Sequence, residues 1–303
     1  MMLKFLVFLT LVGSALASQL GSNPYSSVIY HGGPLLSSPS GINIYLIWYG
    51  GFSVQERATV SDFFSSFRSQ SSIGAPTVAA WWRTTSSYKT KSGQPVSGTI
   101  KLVKQIGDIY SLGKNLKRAQ IADIVNRNIN SKRLPVDSNG VYYVLTSKDV
   151  TVDSFCMGSC GFHNFVVSGN VKLVYAHVGD PEVQCPGLCS WPFAIPSYGP
   201  PGNPLVAPNG VGVDGMIMNI ATVLAGAATN PYKNGYYQGD PLVPLEAVTA
   251  CPGVFGAGVY PGYAGELKMD KRGASFNTYS ANGRKFLLPA IWDMNTSTCK
   301  VIR

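Results

Sequence analysis

The sequence predicts an α/β (α+β) fold. A mixed sheet is covered by helices around a buried central helix at about 211–230, and a loop-rich, disulfide-stabilised C-terminal part follows. Three observations predict it. Apolar, β-branched runs alternate with helical spacing through the first 180 residues. A long stretch, VGVDGMIMNIATVLAGAATNP, carries no charge after Asp214. Among its 303 residues the chain holds six cysteines, 33 glycines and 20 prolines, many of them beyond that stretch.

Taking the elements in order, Met1 to Ala17 has the form of a secretory signal: Lys4, an apolar run, then small residues ending at Ala17. Cleavage there leaves 18–303 as one domain, a sheet half to about 231 and a loop-rich half over 232–303. Gly21 to Gly41 reads as a turn-rich arm. Ile42 to Tyr49 (INIYLIWY) is an apolar run of buried-strand type. Ser53 and Glu56 form a capping box that opens a helix bearing Val60, Phe63, Phe64 and Phe67. Trp81-Trp82 opens a second apolar-aromatic segment compatible with helix. Thr99 to Ile106 reads as a strand, Leu116 to Ile129 as an amphipathic helix, and Val141 to Leu145 and Lys172 to Val178 as further strands.

In the central stretch, Val213, Met216, Ile217, Ile220, Leu224 and Ala227 recur at helical steps, and the opposite face is small or apolar. Such a helix is buried in a core or spans a membrane. A span needs about 20 apolar residues. Asn219, Thr222 and the stop at Thr229-Asn230-Pro231 leave too few, so a core helix and no membrane span are expected. Asp214 in the first turn favours the positive end of the helix dipole, and Pro231 ends the helix.

With 45% apolar and 13% charged residues the chain suits a packed core. Export would place Cys156, Cys160, Cys185, Cys189, Cys251 and Cys299 in an oxidising compartment, which favours three disulfides. The two C-x-x-x-C pairs offer zinc four thiolates as an alternative. Six cysteines allow 15 pairings; the expectation here joins the first two loops to each other and Cys251 to Cys299. After removal of the signal, 23 basic residues face 15 acidic ones, a net charge of +8. That charge suits solubility, or adhesion to acidic polysaccharide and anionic surfaces. Aromatic-basic interleaving of the nucleic-acid kind is missing, so no nucleic-acid partner is expected.

The chain has three histidines. His31 lies in the arm, His163 beside the first cysteine loop, and His177 at the end of a strand. A catalytic arrangement would gather His163 and His177 over the cysteine loops, with Asp180 and Glu182 completing a metal or acid–base cluster. Against this stands an ordinary structural role for histidines in ordered loops. The sequence has no G-x-S-x-G, H-E-x-x-H or Walker loop. Asp214, Glu246, Glu266 and Asp270 are the acids available for glycoside hydrolysis. Asn295-Thr296-Ser297 is a glycosylation sequon, which makes Asn295 a modification candidate.

Several phrases carry a resemblance: YHGGPLL (Tyr30 to Leu36), INIYLIWYG (Ile42 to Gly50), SFCMGSCGFH ending at His163, and QCPGLCSWPF (Gln184 to Phe193). GVDGMIMNIATVLAGAATNP, GYYQGDP, YPGYAGEL and NGRKFLLPAIWD complete the set, and Ser86 to Asn139 matches least. In these the chain closely resembles the Exordium / phosphate-induced protein family, extracellular proteins known chiefly from plant cell walls. The resemblance implies a secreted, apoplastic role in cell expansion and growth, linked to brassinosteroid and to carbon or phosphate status. It brings no catalytic residues and no cofactor.

A fainter resemblance concerns the central helix. Some secreted zinc metalloproteases carry H-E-x-x-E-A-x-T-D-P, with a glutamate five residues before a later cysteine. Thr229-Asn230-Pro231 set on T-D-P puts Thr222, Val223 and Gly226 at the metal-binding and catalytic positions, while Glu246 and Cys251 keep the later spacing. None of those three side chains can ligate zinc or activate water. A zincin-like scaffold with its metal chemistry removed is therefore implied. The favoured expectation is a non-catalytic extracellular protein binding acidic wall polysaccharide or a cell-surface protein through aromatic-glycine phrases such as Tyr236-Tyr237 and Tyr260 to Tyr263. The alternatives are a secreted peptidase or glycosidase built on His163 and His177, and a disulfide-stabilised matrix component.

Overall fold

Ile42–Tyr49 (β1) is apolar at nearly every position and buried on both faces, the pattern of a strand inside a parallel sheet. The computed structural model describes residues 27–68, 76–198, 202–280 and 282–302. The signal expected over 1–17 lies outside the described residues. After β1 come helix Val54–Ser65 (α1), strand Ile100–Asp108 (β2), helix Arg118–Asn130 (α2), strand Gly140–Thr146 (β3), strands Gly161–Ser168 (β4) and Val171–Gly179 (β5), and helix Val211–Thr229 (α3). The five strands form one mixed sheet in the order β2-β1-β3-β5-β4. The first four run parallel, and β4 closes the edge antiparallel to β5.

Local chemistry sets the boundaries. Ser53 Oγ accepts from Glu56 N at 3.2 Å while Glu56 Oε2 accepts from Ser53 N at 2.6 Å, so the expected capping box opens α1. Trp81 and Trp82 sit in a short helix, Val78–Trp82, and both are buried. One strand escaped the sequence reading. His163, three residues past the first cysteine loop, lies inside β4, which Gly169-Asn170 joins to β5 as a two-residue hairpin between Ser168 and Val171, with Gly169 at φ +59°.

The two faces of the sheet are covered differently. On one face, Ile44, Leu46, Tyr143 and Ala176 pack with Phe63 and Phe64 of α1 and with Met216, Ile220 and Leu224 of α3. On the other, Tyr45, Ile47, Val144 and Leu173 pack against Ile121, Ile124 and Val125 of α2. Among the described residues α3 is the one helix long and apolar enough to cross a membrane, and 83% of that apolar window is buried here. Burial on all sides is why the helix needs no polar face.

The loop-rich stretch after 231 holds two- and three-residue strand pairs. It returns to the same core: Phe286, Leu288 and Ile291 join the cluster of β1 and α3. Trp81 Nε1 donates to Pro289 O at 2.7 Å, and Tyr88 Oη to Trp292 O at 2.6 Å. The disulfides are Cys156–Cys185, Cys160–Cys189 and Cys251–Cys299. The two cysteine loops are thus stitched to each other, and the four sulfurs that offered zinc an alternative are paired, as are Cys251 and Cys299.

Candidate functional site

Successive residues of a strand face opposite sides of the sheet, while directly opposed residues share a side. His163 opposes Ala176 and His177 opposes Phe162, so the two histidines lie on opposite faces. They do not meet over the cysteine loops. His177 is buried against Phe155 and Phe162, with Nε2 at 3.0 Å from Thr146 Oγ1. Burial, aided by the charge of Arg118, pushes its pKa down to about 3, so the ring is neutral at ordinary pH.

Asp180 and Glu182 are elsewhere again. A Cβ placed on Gly212, in the first turn of α3, would overlap Asp180 Oδ1. Gly226 near the far end of α3 is the glycine that abuts His163. Fourteen residues of helix separate those glycines, about 21 Å at 1.5 Å per residue. Burial pushes Asp180 up to about 6, and its Oδ1 accepts from Glu182 N at 2.9 Å. Glu182 itself pairs with Lys148 at the surface, 2.8 Å away. Among the described residues no group of three His, Cys, Asp or Glu side chains is placed to share a metal ion.

The site built around His163 lies on the α3 side of the edge strand. Its Nε2 stands 3.0 and 2.9 Å from the two carboxylate oxygens of Glu246. Asn230, which caps the end of α3, donates from Nδ2 to Glu246 Oε1 at 2.7 Å and accepts from Gly235 N at 2.7 Å. Both hydrogen-bonded partners are nearly enclosed, with side chains 5% and 12% exposed. Burial alone would raise the Glu246 carboxyl. The His163 ring, the Asn230 amide and the Lys233 charge outweigh burial and hold it below the usual carboxylate range.

Gly226 makes room for this pair. A Cβ there would overlap Glu246 Oε2 and come within 3.2 Å of His163 Nε2. The remaining positions aligned with the metalloprotease helix are inert: Thr222 Oγ1 donates back to Met218 O at 2.8 Å, and Val223 is buried against Gly161. The sequence reading held Glu246 as an acid with a recognisable spacing from Cys251 but did not join it to His163. The residual spacing was the only signal, since the two residues lie 83 positions apart.

The aromatic phrases divide. Tyr236 and Tyr237 are buried packing groups and present no face to a ligand: they pair with Ile29–Tyr30 and stack on Tyr30 and His31. Tyr260 and Tyr263 are exposed, their ring centroids 4.9 Å apart across a tight turn. Asn295 is exposed in the turn between Ile291–Asp293 and Thr298–Lys300.

Comparison with known proteins decides the family. The model of the family described as "Phosphate-induced protein 1 conserved region" matches residues 28–302. The chain belongs to the phosphate-induced protein 1 family. Members similar to it include Protein EXORDIUM-like 2 of Arabidopsis thaliana, 46% identical over 99% of this chain and 98% of that protein. Protein EXORDIUM of the same plant is also 46% identical, over 99% and 98%. Protein PHOSPHATE-INDUCED 1 of Nicotiana tabacum is 47% identical over 90% of this chain and 87% of its own. No solved structure matches this member of the phosphate-induced protein 1 family.

Proposed function

We propose that the protein is a secreted, non-catalytic extracellular protein of the Exordium type, acting in the cell wall to support growth by binding acidic polysaccharide. Residues 18–303 act as one domain. The observation that carries the reading is the closure around Gly226. Beside Gly226 the His163 Nε2 lies against the Glu246 carboxylate, which also accepts from Asn230, and both side chains are enclosed. A hydrolase needs such groups free to reach substrate or metal. Three disulfides suit an oxidising compartment, exposed Asn295 suits a glycan, and the excess of basic residues suits an acidic polymer.

A polysaccharide array probed with the purified chain tests this. Retention on acidic polymers that weakens as salt rises is the expected result. Stoichiometric zinc in the purified protein, or turnover of any bound polymer, would overturn it. The second reading is a hydrolase using His163 with Glu246, favoured by their direct contact. It requires that both His163→Ala and Glu246→Gln abolish a measurable turnover.

A further inference from the structure

A polar cleft of about 480 Å³ opens beside the start of α3, the opposite end of that helix from the His163–Glu246 pair. Three segments build it: α1 supplies Gln55 and Asp62, the lead into α3 supplies Asn209, and the C-terminal hairpins supply Asp270, Arg272 and Arg284. Lys285 lines it as well. Its size falls in the range of small-molecule sites, about 300–1,000 Å³.

The cleft is pre-ordered. Arg284 Nε is 2.5 Å from Asp62 Oδ2, and Asn282 donates to Asp62 Oδ1. Arg284 Nη1 donates to Asn209 Oδ1 at 3.3 Å. The Asn209 amide is fixed in turn, donating to Asp214 Oδ1 and to Lys285 O. Asp214 is buried in the first turn of α3 and its carboxyl is pushed up to about 7, chiefly by burial. Across the cleft, Asp270 is approached by Arg272 at 3.3 Å and by Lys285 at 3.4 Å.

We infer that this cleft binds one carboxylated sugar unit of a uronic-acid polysaccharide. Its three cations face two carboxylates, so it carries one net positive charge, which matches a single carboxylate better than a phosphate dianion. The bonds seen among the described residues occupy two of the five N–H groups of Arg284, and Arg272 is 72% exposed. Guanidinium groups in that position present donor pairs that fit a carboxylate. Asp62, Asp270 and the amide of Gln55 provide acceptors for sugar hydroxyls. A fully cationic patch lacks those acceptors.

The inference rests on the polysaccharide-binding reading above, and the experiment separates the two. Binding of a uronic-acid oligomer and of a neutral gluco-oligomer is measured by calorimetry on the full chain, with Arg272→Gln, Arg284→Gln and the control Lys91→Gln. Arg272 is chosen because its side chain is exposed, its guanidinium reaching, among the described residues, only Asp270 and Pro208 O at 3.2–3.4 Å. Arg284→Gln is accompanied by a melting curve. The expected result is uronic-oligomer binding weakened about tenfold by Arg272→Gln, more by Arg284→Gln, and not at all by Lys91→Gln, an exposed turn residue. Polysaccharide binding that survives Arg272→Gln and a folded Arg284→Gln overturns the cleft assignment alone. Equal affinity for the neutral oligomer overturns the uronic class. No polysaccharide binding by the unaltered chain overturns both readings.

Discussion

Gly226 turns a helix rule upside down. Replacing glycine by alanine inside a helix ordinarily stabilises by about 0.5–1 kcal/mol. Here the new methyl would push Glu246 off His163 and Asn230. Gly226→Ala is expected to destabilise by about 1–3 kcal/mol, and a rise in melting temperature would contradict the closed site. His177 gives a pH prediction. Its folded pKa, about 3, lies below the ordinary 6.5, so the unfolded chain takes up the proton first. The contribution of His177 to stability therefore falls as pH drops from about 6.5 toward 3, at up to about 1.4 kcal/mol per unit, while Asp180 and Asp214, whose carboxyls burial holds high, act in the opposite direction. His177→Gln keeps a polar partner for Thr146 and removes the titration. As pH drops across that window, its denaturation midpoint is expected to shift upward relative to that of the unaltered chain at the same pH. Neither environment was legible in the sequence. His163 and His177 look alike as strand-flanking histidines, and only the register that opposes Phe162 to His177 sends them to opposite faces.

At the scale of elements, much more was readable. β1 and β3 are apolar runs because both faces are covered, and α1 announces itself through Ser53 and Glu56. Ser53→Ala removes an acceptor for Glu56 N and is expected to cost about 1 kcal/mol in urea denaturation. The edge strand β4 was less legible, since His163, Asn164 and Ser168 interrupt its apolar run and the cysteines before it draw the eye to a loop. The Gly169-Asn170 hairpin was the available clue. The disulfides Cys156–Cys185 and Cys160–Cys189 clamp the start of that strand to the segment leading to α3. Cys160→Ser with Cys189→Ser is expected to cost about 2–4 kcal/mol. An unchanged denaturation midpoint would mean that the first bridge alone holds the edge.

For the whole molecule, the sheet-and-helix class followed from the order of strands and helices. The polar cleft did not, because Asp62, Asn209 and Arg284 come from segments with no shared local pattern. Nor did the sequence reveal that its last quarter completes the first core. Leu288 is 1% exposed among residues of β1, α1 and α3, and Leu288→Ala is expected to cost about 2–5 kcal/mol, read from the urea midpoint. Phe286, Leu288 and Ile291 are made last, and until they arrive the core shared by β1, α1 and α3 lacks part of its packing. A ribosome-bound chain of some 230 residues would therefore show a gap in that oily layer to its surroundings. Maturation has to wait for the carboxyl end, and chaperone demand should be greatest just before it.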